Sequence, residues 1–372
     1  MDVMYKLGDE LRELSALRRL RYLCVKICSS PQRRARFRLI TQTKYTTSRN
    51  ERGALVSTLM VIRDVRHRWN STEAMITRGL LLREAIDAWV FERRELRPLL
   101  LSNSDWDLLE SLGKLLKLFT AVTLQMSKRS TPTLPWVLPM YDTMLTHLEN
   151  ARDNISYPEV LRVAAGAGLT KLNEYYPKAQ ANQFNVIATL LHPSLGLGFF
   201  AAVDADRATR KQTSWDLVKH ATTLFEHAFR SYQRAYDSEK MEAAKSAPPP
   251  PVANPSSLTS QIVARVASNS RNEAQPRVTR DELNEFWCAA QVYGAGDAQK
   301  PLLWWKEFGT HFPVASRMAR DFLAIPGTSV SVERLFSQAR NVCQDTRSSL
   351  KASTIKEAML TKMWLKAGYI QL

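Results

Sequence analysis

A chain of 372 residues, 45% hydrophobic and 24% charged, holds enough apolar mass for two or three cored domains, which excludes a disordered or fibrous class. The formal net charge of +16 points to a polyanionic partner, and half of that surplus sits in residues 1–50, where 12 Lys and Arg face 4 Asp and Glu. Four scattered cysteines, Cys24, Cys28, Cys288 and Cys343, exclude a disulfide framework or a zinc site, and no apolar run reaches the roughly 18–20 residues of a bilayer span. A reducing compartment and no membrane partner are expected.

Apolar residues at Leu7, Leu11, Leu14, Leu17, Cys24, Ile27 and Cys28 recur at helical spacing and predict a helix over 4–28, with Arg12, Arg18, Arg19 and Lys26 opposite. Ser30 and Pro31 form a cap and first-turn pair for a second basic helix carrying Arg33, Arg34, Arg36 and Arg38. Those arginines suit phosphate contact or, equally, a solvated face. Residues 54–65, "ALVSTLMVIRDV", are the best strand candidate, with a short buried helix as the alternative. A helix follows, capped at Asn70, Ser71 or Thr72, with a stripe of Met75, Leu80, Leu82, Ile86 and Val90. Further helices are predicted over 104–127, 134–151, 157–174, 180–191 and 213–235.

The Pro- and Ser-rich stretch within 241–280 lacks apolar area to bury and predicts a linker. Beyond it lies an aromatic unit containing Phe286, Trp287, Trp304, Trp305, Phe308, Phe312, Phe322, Phe336 and Trp364. Pro326 and Gly327 break the chain, Thr328 or Ser329 offers a cap, and Val332, Leu335, Phe336 and Ala339 share one stripe of a following helix. Glu333 near that helix start is favoured by the dipole, so a structural charge paired with Arg334 or Arg340 competes with a catalytic role.

Residues 302–364 resemble the C-terminal dimerisation region of the hAT superfamily of DNA transposases. The likeness rests on Trp304-Trp305, Phe312-Pro313, the Ile325-Pro326 turn, Ser329-x-x-x-Glu333-Arg334-x-Phe336-Ser337, Arg347-x-x-Leu350 and a final Trp364. Upstream, "DVRHRWNSTEAMITRGLLLREAI" is similar to the Arg-Trp-Asn-Ser block that follows the last strand of that family's ribonuclease H-like core. "YYPKAQANQFNVIATLLHPSLGLGFF" also falls in the expected order, but Leu191-His192-Pro193-Ser194 departs from the family's Leu-Asp-Pro-Arg.

The resemblance implies metal-dependent DNA cutting by two aspartates and one glutamate that hold two divalent ions, Mg²⁺ in this family. Glu333 matches the glutamate, and Arg68-Trp69 match a pair implied to contact DNA near the cut, with Arg66, Arg33 and Arg34 as further DNA candidates. The matching aspartates belong to strands upstream of the first recognisable helix. Asp2, Asp9 and Asp64 lack the strand context, so no catalysis and no stably bound cofactor are expected of this chain alone; the alternative is a fragment of an active transposase.

The expected fold is mainly α: a truncated ribonuclease H-like core remnant over 1–73, a large all-helical insertion domain over 74–240, a linker over 241–280 and a helical C-terminal dimerisation unit over 281–372. Trp304, Trp305, Phe312, Leu335, Phe336, Leu350 and Trp364 are the candidate dimer contacts, with burial in the chain's own core as the alternative for each aromatic. The expected partners are a second copy and, through the basic helices, DNA, with no small-molecule substrate and with the nucleus as the compartment.

Overall fold

The computed structural model describes residues 15–51, 53–65, 68–209, 216–246, 281–330 and 352–370, and among them every regular element is a helix. The mainly α part of the expected fold is therefore observed, and no ribonuclease H-like sheet is formed among the described residues. By internal packing the chain divides into two units, residues 1–126 with 140–177 and residues 127–139 with 178–372.

The first unit opens with α1 (Ala16–Cys28), which buries the expected Cys24 and Ile27 together with Leu20 and Leu23, outside the stripe read from the sequence, while Leu17 and Cys28 are only half-buried. Leu7, Leu11 and Leu14 lie outside the described residues. α2 (Pro31–Lys44) starts where Ser30 Oγ accepts the Arg33 amide at 3.2 Å and Pro31 occupies the first turn, and it buries Phe37, Ile40 and Thr41. α3 (Trp69–Leu81) begins one residue before the predicted caps. Ser71 instead closes the preceding loop, accepting the Val65 amide at 2.8 Å. The helix predicted as continuous through Val90 breaks at the fully buried Leu82 and resumes as α4 (Arg83–Phe91). α5 (Asn103–Met126) then packs along α3, and α6 (Val137–Asp153) and α7 (Glu159–Ala181) contribute Leu148, Ala151, Ala165 and Leu169 to a smaller core around Leu115.

The strand expected over 54–65 is absent. Val56–Thr58 form a single 3-10 turn, and the only pairing there is an isolated antiparallel bridge between Arg49 and Leu55. A strand needs a neighbour to satisfy its amides and carbonyls. Here side chains do that work instead: Arg78 Nη1 donates to Met60 O at 2.9 Å and Thr41 Oγ1 to Ser57 O at 3.1 Å. The segment's apolar content goes into the helical core, where Val56 and Val61 are buried with Leu20, Phe37, Met75, Ile86 and Trp89. That core joins residues on both sides of position 73.

The second unit contains α8 (Gln183–Leu190), α9 (Gly196–Thr209), α10 (Leu217–Ser246), α11 (Glu282–Trp287), α12 (Ala289–Tyr293), α13 (Pro301–Phe308), α14 (Pro313–Leu323) and α15 (Ala352–Ala367). α9 was not signalled by the sequence, because Gly196 and Gly198 interrupt its apolar pattern with the poorest non-proline helix former. α10 runs past the predicted end at 235 to Ser246, into the stretch expected to be linker. Met241, Glu242, Ala243, Ala244 and Lys245 are strong helix formers and carry the helix onward. The remainder of that stretch, 247–280, lies outside the described residues. No helix among the described residues is long and apolar enough to cross a membrane.

The α3–α5 contact depends on Gly113, where a Cβ would stand 3.2 Å from Ile76 Cγ2. Gly113→Leu should push the two helices apart and lower unfolding stability by about 1–3 kcal/mol, read as a reduced urea midpoint with unchanged helical circular dichroism at low urea.

Candidate self-association and nucleic-acid surfaces

The aromatic residues of the second unit gather on one another. Phe286 of α11 stacks on Trp305 of α13 at 5.8 Å and on Phe225 of α10 at 5.4 Å, and meets Phe312 edge-on at 5.7 Å. Trp304 stacks on Phe312 at 6.1 Å. Such offset and edge contacts suit the ring quadrupoles and add to the large apolar area each ring buries. Both indole N–H groups find acceptors: Trp304 donates to Gly294 O and Trp305 to Leu191 O, each at 2.9 Å. Gly296, at φ +65°, allows the preceding loop to pass close to the Trp304 ring.

Two polar devices hold this cluster in register. Glu282 Oε1 accepts the amides of Val314 and Ala315 at 2.9 Å each, so a side chain from α11 caps the first turn of α14. His192, fully buried, has Nε2 3.2 Å from Ala298 O, accepts the Ser194 amide at Nδ1 at 3.2 Å, and meets the Trp136 ring edge-on at 5.2 Å. With Nδ1 an acceptor, the neutral ring carries its proton on Nε2. Burial pushes its pKa down to about 4, against a smaller opposing effect of the hydrogen bond to Ala298.

Three candidate dimer contacts, Trp304, Trp305 and Phe312, are therefore buried within their own chain and have almost no surface left for a partner. Trp364 behaves differently. It is 45% exposed on α15, next to Met363 at 48%, and no described side chain of that helix is buried. Leu335, Phe336 and Leu350 lie outside the described residues, as does Glu333.

In the first unit the N-terminal arginines divide into two groups. Arg19 pairs with Asp105, Arg21 with Asp64 at 2.6 Å and Arg36 with Glu92 at 2.6 Å. Burial alone would raise the Asp64 pKa, but the hydrogen bonds and charge of Arg21, helped by Thr72, outweigh it and hold the carboxyl below its usual range. Asp64 is thus committed to tying α1 to the loop before α3. Arg33 and Arg34 reach only Ser29 Oγ at 2.7 Å and Cys28 O at 3.3 Å, and no carboxylate pairs with them among the described residues. Arg68 is exposed; Trp69 is 55% exposed, donates from Nε1 to Thr123 Oγ1 at 3.1 Å, and lies 6.2 Å from the Phe119 ring. The two arginines of α2 and the Arg68-Trp69 pair share no bonding partner. Arg66 lies outside the described residues. No group of three His, Cys, Asp or Glu side chains able to hold a metal ion occurs among the described residues.

Sequence reasoning missed Glu282, His192 and Phe225 as organising residues. Only His192 carried a signal, as the departure from Leu-Asp-Pro-Arg.

Residues 279–365 match the family model described as the hAT family C-terminal dimerisation region. The chain is 28% identical over 351 residues, 93% of its length, to tpeD of Talaromyces stipitatus, a candidate transcriptional regulator. It spans 36% of the length of that relative. A shorter segment of 69 residues, 18% of this chain and 9% of the relative, is 42% identical to the zinc finger BED domain-containing protein RICESLEEPER 3 of Oryza sativa subsp. japonica. Another of 62 residues, 17% of this chain and 9% of the relative, is 29% identical to the zinc finger BED domain-containing protein DAYSLEEPER of Arabidopsis thaliana.

Because the free imidazole titrates near 6.5 and buried His192 near 4, the unfolded chain takes up the proton first, so stability should fall as pH drops from about 6.5 to about 4. The loss should approach about 3 kcal/mol. In His192→Gln the urea midpoint should be lower at neutral pH and markedly flatter across that window.

Proposed function

With an hAT family C-terminal dimerisation region at residues 279–365 as the premise, we propose that this chain is a transposon-derived protein that self-associates through that region, with α15 at the contact. The observation that carries the assignment to α15 is its exposure of Met363 and Trp364. A single helix of its 16 residues is marginal in water without a packed face, and an exposed Trp beside Met is the kind of pair that supplies most of an interface's energy. The buried Trp304, Trp305 and Phe312 then act one step back, as the rigid platform of the region. Leu335, Phe336 and Leu350 remain candidates on their sequence pattern.

Binding of DNA is the second activity proposed, through Arg33, Arg34, Arg68 and Trp69 together with Arg66. The observation favouring it is that Arg33 and Arg34 carry no carboxylate among the described residues while Arg19, Arg21 and Arg36 do. We propose no catalysis by this polypeptide by itself and no stably held Mg²⁺. Asp64 is held by Arg21, and Glu333 alone would give a hard cation a single carboxylate where such sites use several anionic ligands. The competing reading is part of a longer active transposase. Both readings place the protein in the nucleus.

Light scattering at micromolar concentration should return a mass above that of one chain, and Met363→Asp with Trp364→Asp should return the monomer with the same helical content. A wild-type monomer would sink the self-association proposal. Duplex affinity should fall steeply as salt rises, and Arg33→Ala with Arg34→Ala should reduce the log–log salt slope by about 2. Negligible binding at low salt removes the DNA proposal. Metal-dependent nicking abolished by Glu333→Ala would favour the transposase reading.

A further inference from the structure

Besides α15, the second unit has an open groove between the C-terminal half of α10 and helices α13 and α14. Leu302 and Pro313 supply the accessible apolar wall over a floor of the largely buried Trp305 and Leu323, and Lys306, Arg317 and Arg320 supply the charge. Its lining contains no carboxylate among the described residues. Leu302 is 51% exposed, at the start of α13 ahead of the two buried tryptophans.

The three cations differ in their commitments. Arg317 stacks over the Tyr236 ring at 4.8 Å and pairs with Glu239 at 2.7 Å, so it fixes the groove's wall against α10. Lys306 and Arg320 are exposed and have no hydrogen-bond or ion-pair partner among the described residues. The only carboxylate of α14, Asp321, accepts from Tyr232 Oη at 2.6 Å. An open, mainly apolar groove flanked by uncommitted cations is complementary to a helix whose apolar residues recur at i, i+3 and i+7 with Asp or Glu between them.

We propose that this groove docks an acidic amphipathic helix from a partner protein, with its apolar stripe against Leu302 and Pro313 and its carboxylates on Lys306 and Arg320. A second copy of this chain suits it less: α15, the exposed helix offered for self-association, carries Lys356, Lys362 and Lys366 against Glu357 alone. The surface thus goes beyond the self-association and DNA contacts above, and does not depend on them.

Two labelled synthetic helical peptides test it, identical in their leucines at i, i+3 and i+7 but carrying glutamate in one and lysine in the other at the intervening positions. Anisotropy with the full chain should show saturable binding of the glutamate peptide only, weakened at least about tenfold by Lys306→Glu with Arg320→Glu and comparably by Leu302→Asp. Raising salt from about 50 to about 300 mM should weaken it further. All three positions are exposed, so unchanged circular dichroism checks that the variants fold. No binding, equal binding of both peptides, or binding unaffected by the substitutions overturns the proposal. So does a loss of self-association or of duplex binding in Leu302→Asp or the charge-reversal variant without loss of peptide binding, which would assign the surface to a second copy or to nucleic acid.

Discussion

The hydrogen bond from the Trp305 indole to the Leu191 carbonyl ties the C-terminal region to the helices before it, and much else in the second unit follows from it. Leu191 is the C-cap of α8, and its carbonyl lacks an intrahelical donor, so an indole N–H arriving from α13 satisfies two buried polar groups at once. Trp305 set in that position presents its face to Phe286, and Phe286 in turn meets Phe225 and Phe312. His192, the next residue after Leu191, repeats the device with Ala298 O. Two adjacent residues at one helix end thus hold both the loop before α13 and α13 itself, and Glu282 extends the same frame to α14.

That frame explains why residues with the same sequence signature have different fates. Trp304 and Trp305 have acceptors and stacked neighbours, so they are core, whereas Trp364 on α15 has no buried neighbour among the described side chains of its own helix and stays at the surface. Lys306 and Arg320 keep their charge free for a similar reason. Glu239 and Asp321, on the neighbouring α10 and on α14, are already held by Arg317 and Tyr232. In the first unit the division among arginines is also geometric: those facing α4, α5 and the loop before α3 meet Glu92, Asp105 and Asp64, and those at the α1–α2 turn meet none.

The strand expected over 54–65 shows where local pattern fails. Val, Ile, Leu and Met favour a strand and a buried coil equally, since both take them out of water, and what separates the two is whether a neighbour supplies a ladder. Arg78 and Thr41 supply side-chain donors instead, from helices distant in sequence. The break at Leu82 and the start of α3 at Trp69 are failures of the same kind: apolar spacing and capping residues were legible, but the buried leucine that interrupts the helix and the loop that claims Ser71 depend on neighbours that no window of sequence contains.

The sequence by itself determined the mainly helical class, the start of α2 at Ser30 and Pro31, the helical period of α1 with Cys24 and Ile27 inside, and the likeness of the C-terminal region to the hAT dimerisation region, because caps, apolar periodicity and short motifs are local properties of the chain. Tertiary structure alone decided which arginines are neutralised, which tryptophans are buried, and that His192 stays neutral between Ala298 and Ser194. Each of those outcomes depends on which groups folding brings within a few ångströms of one another, and local periodicity carries no record of such pairings across the chain.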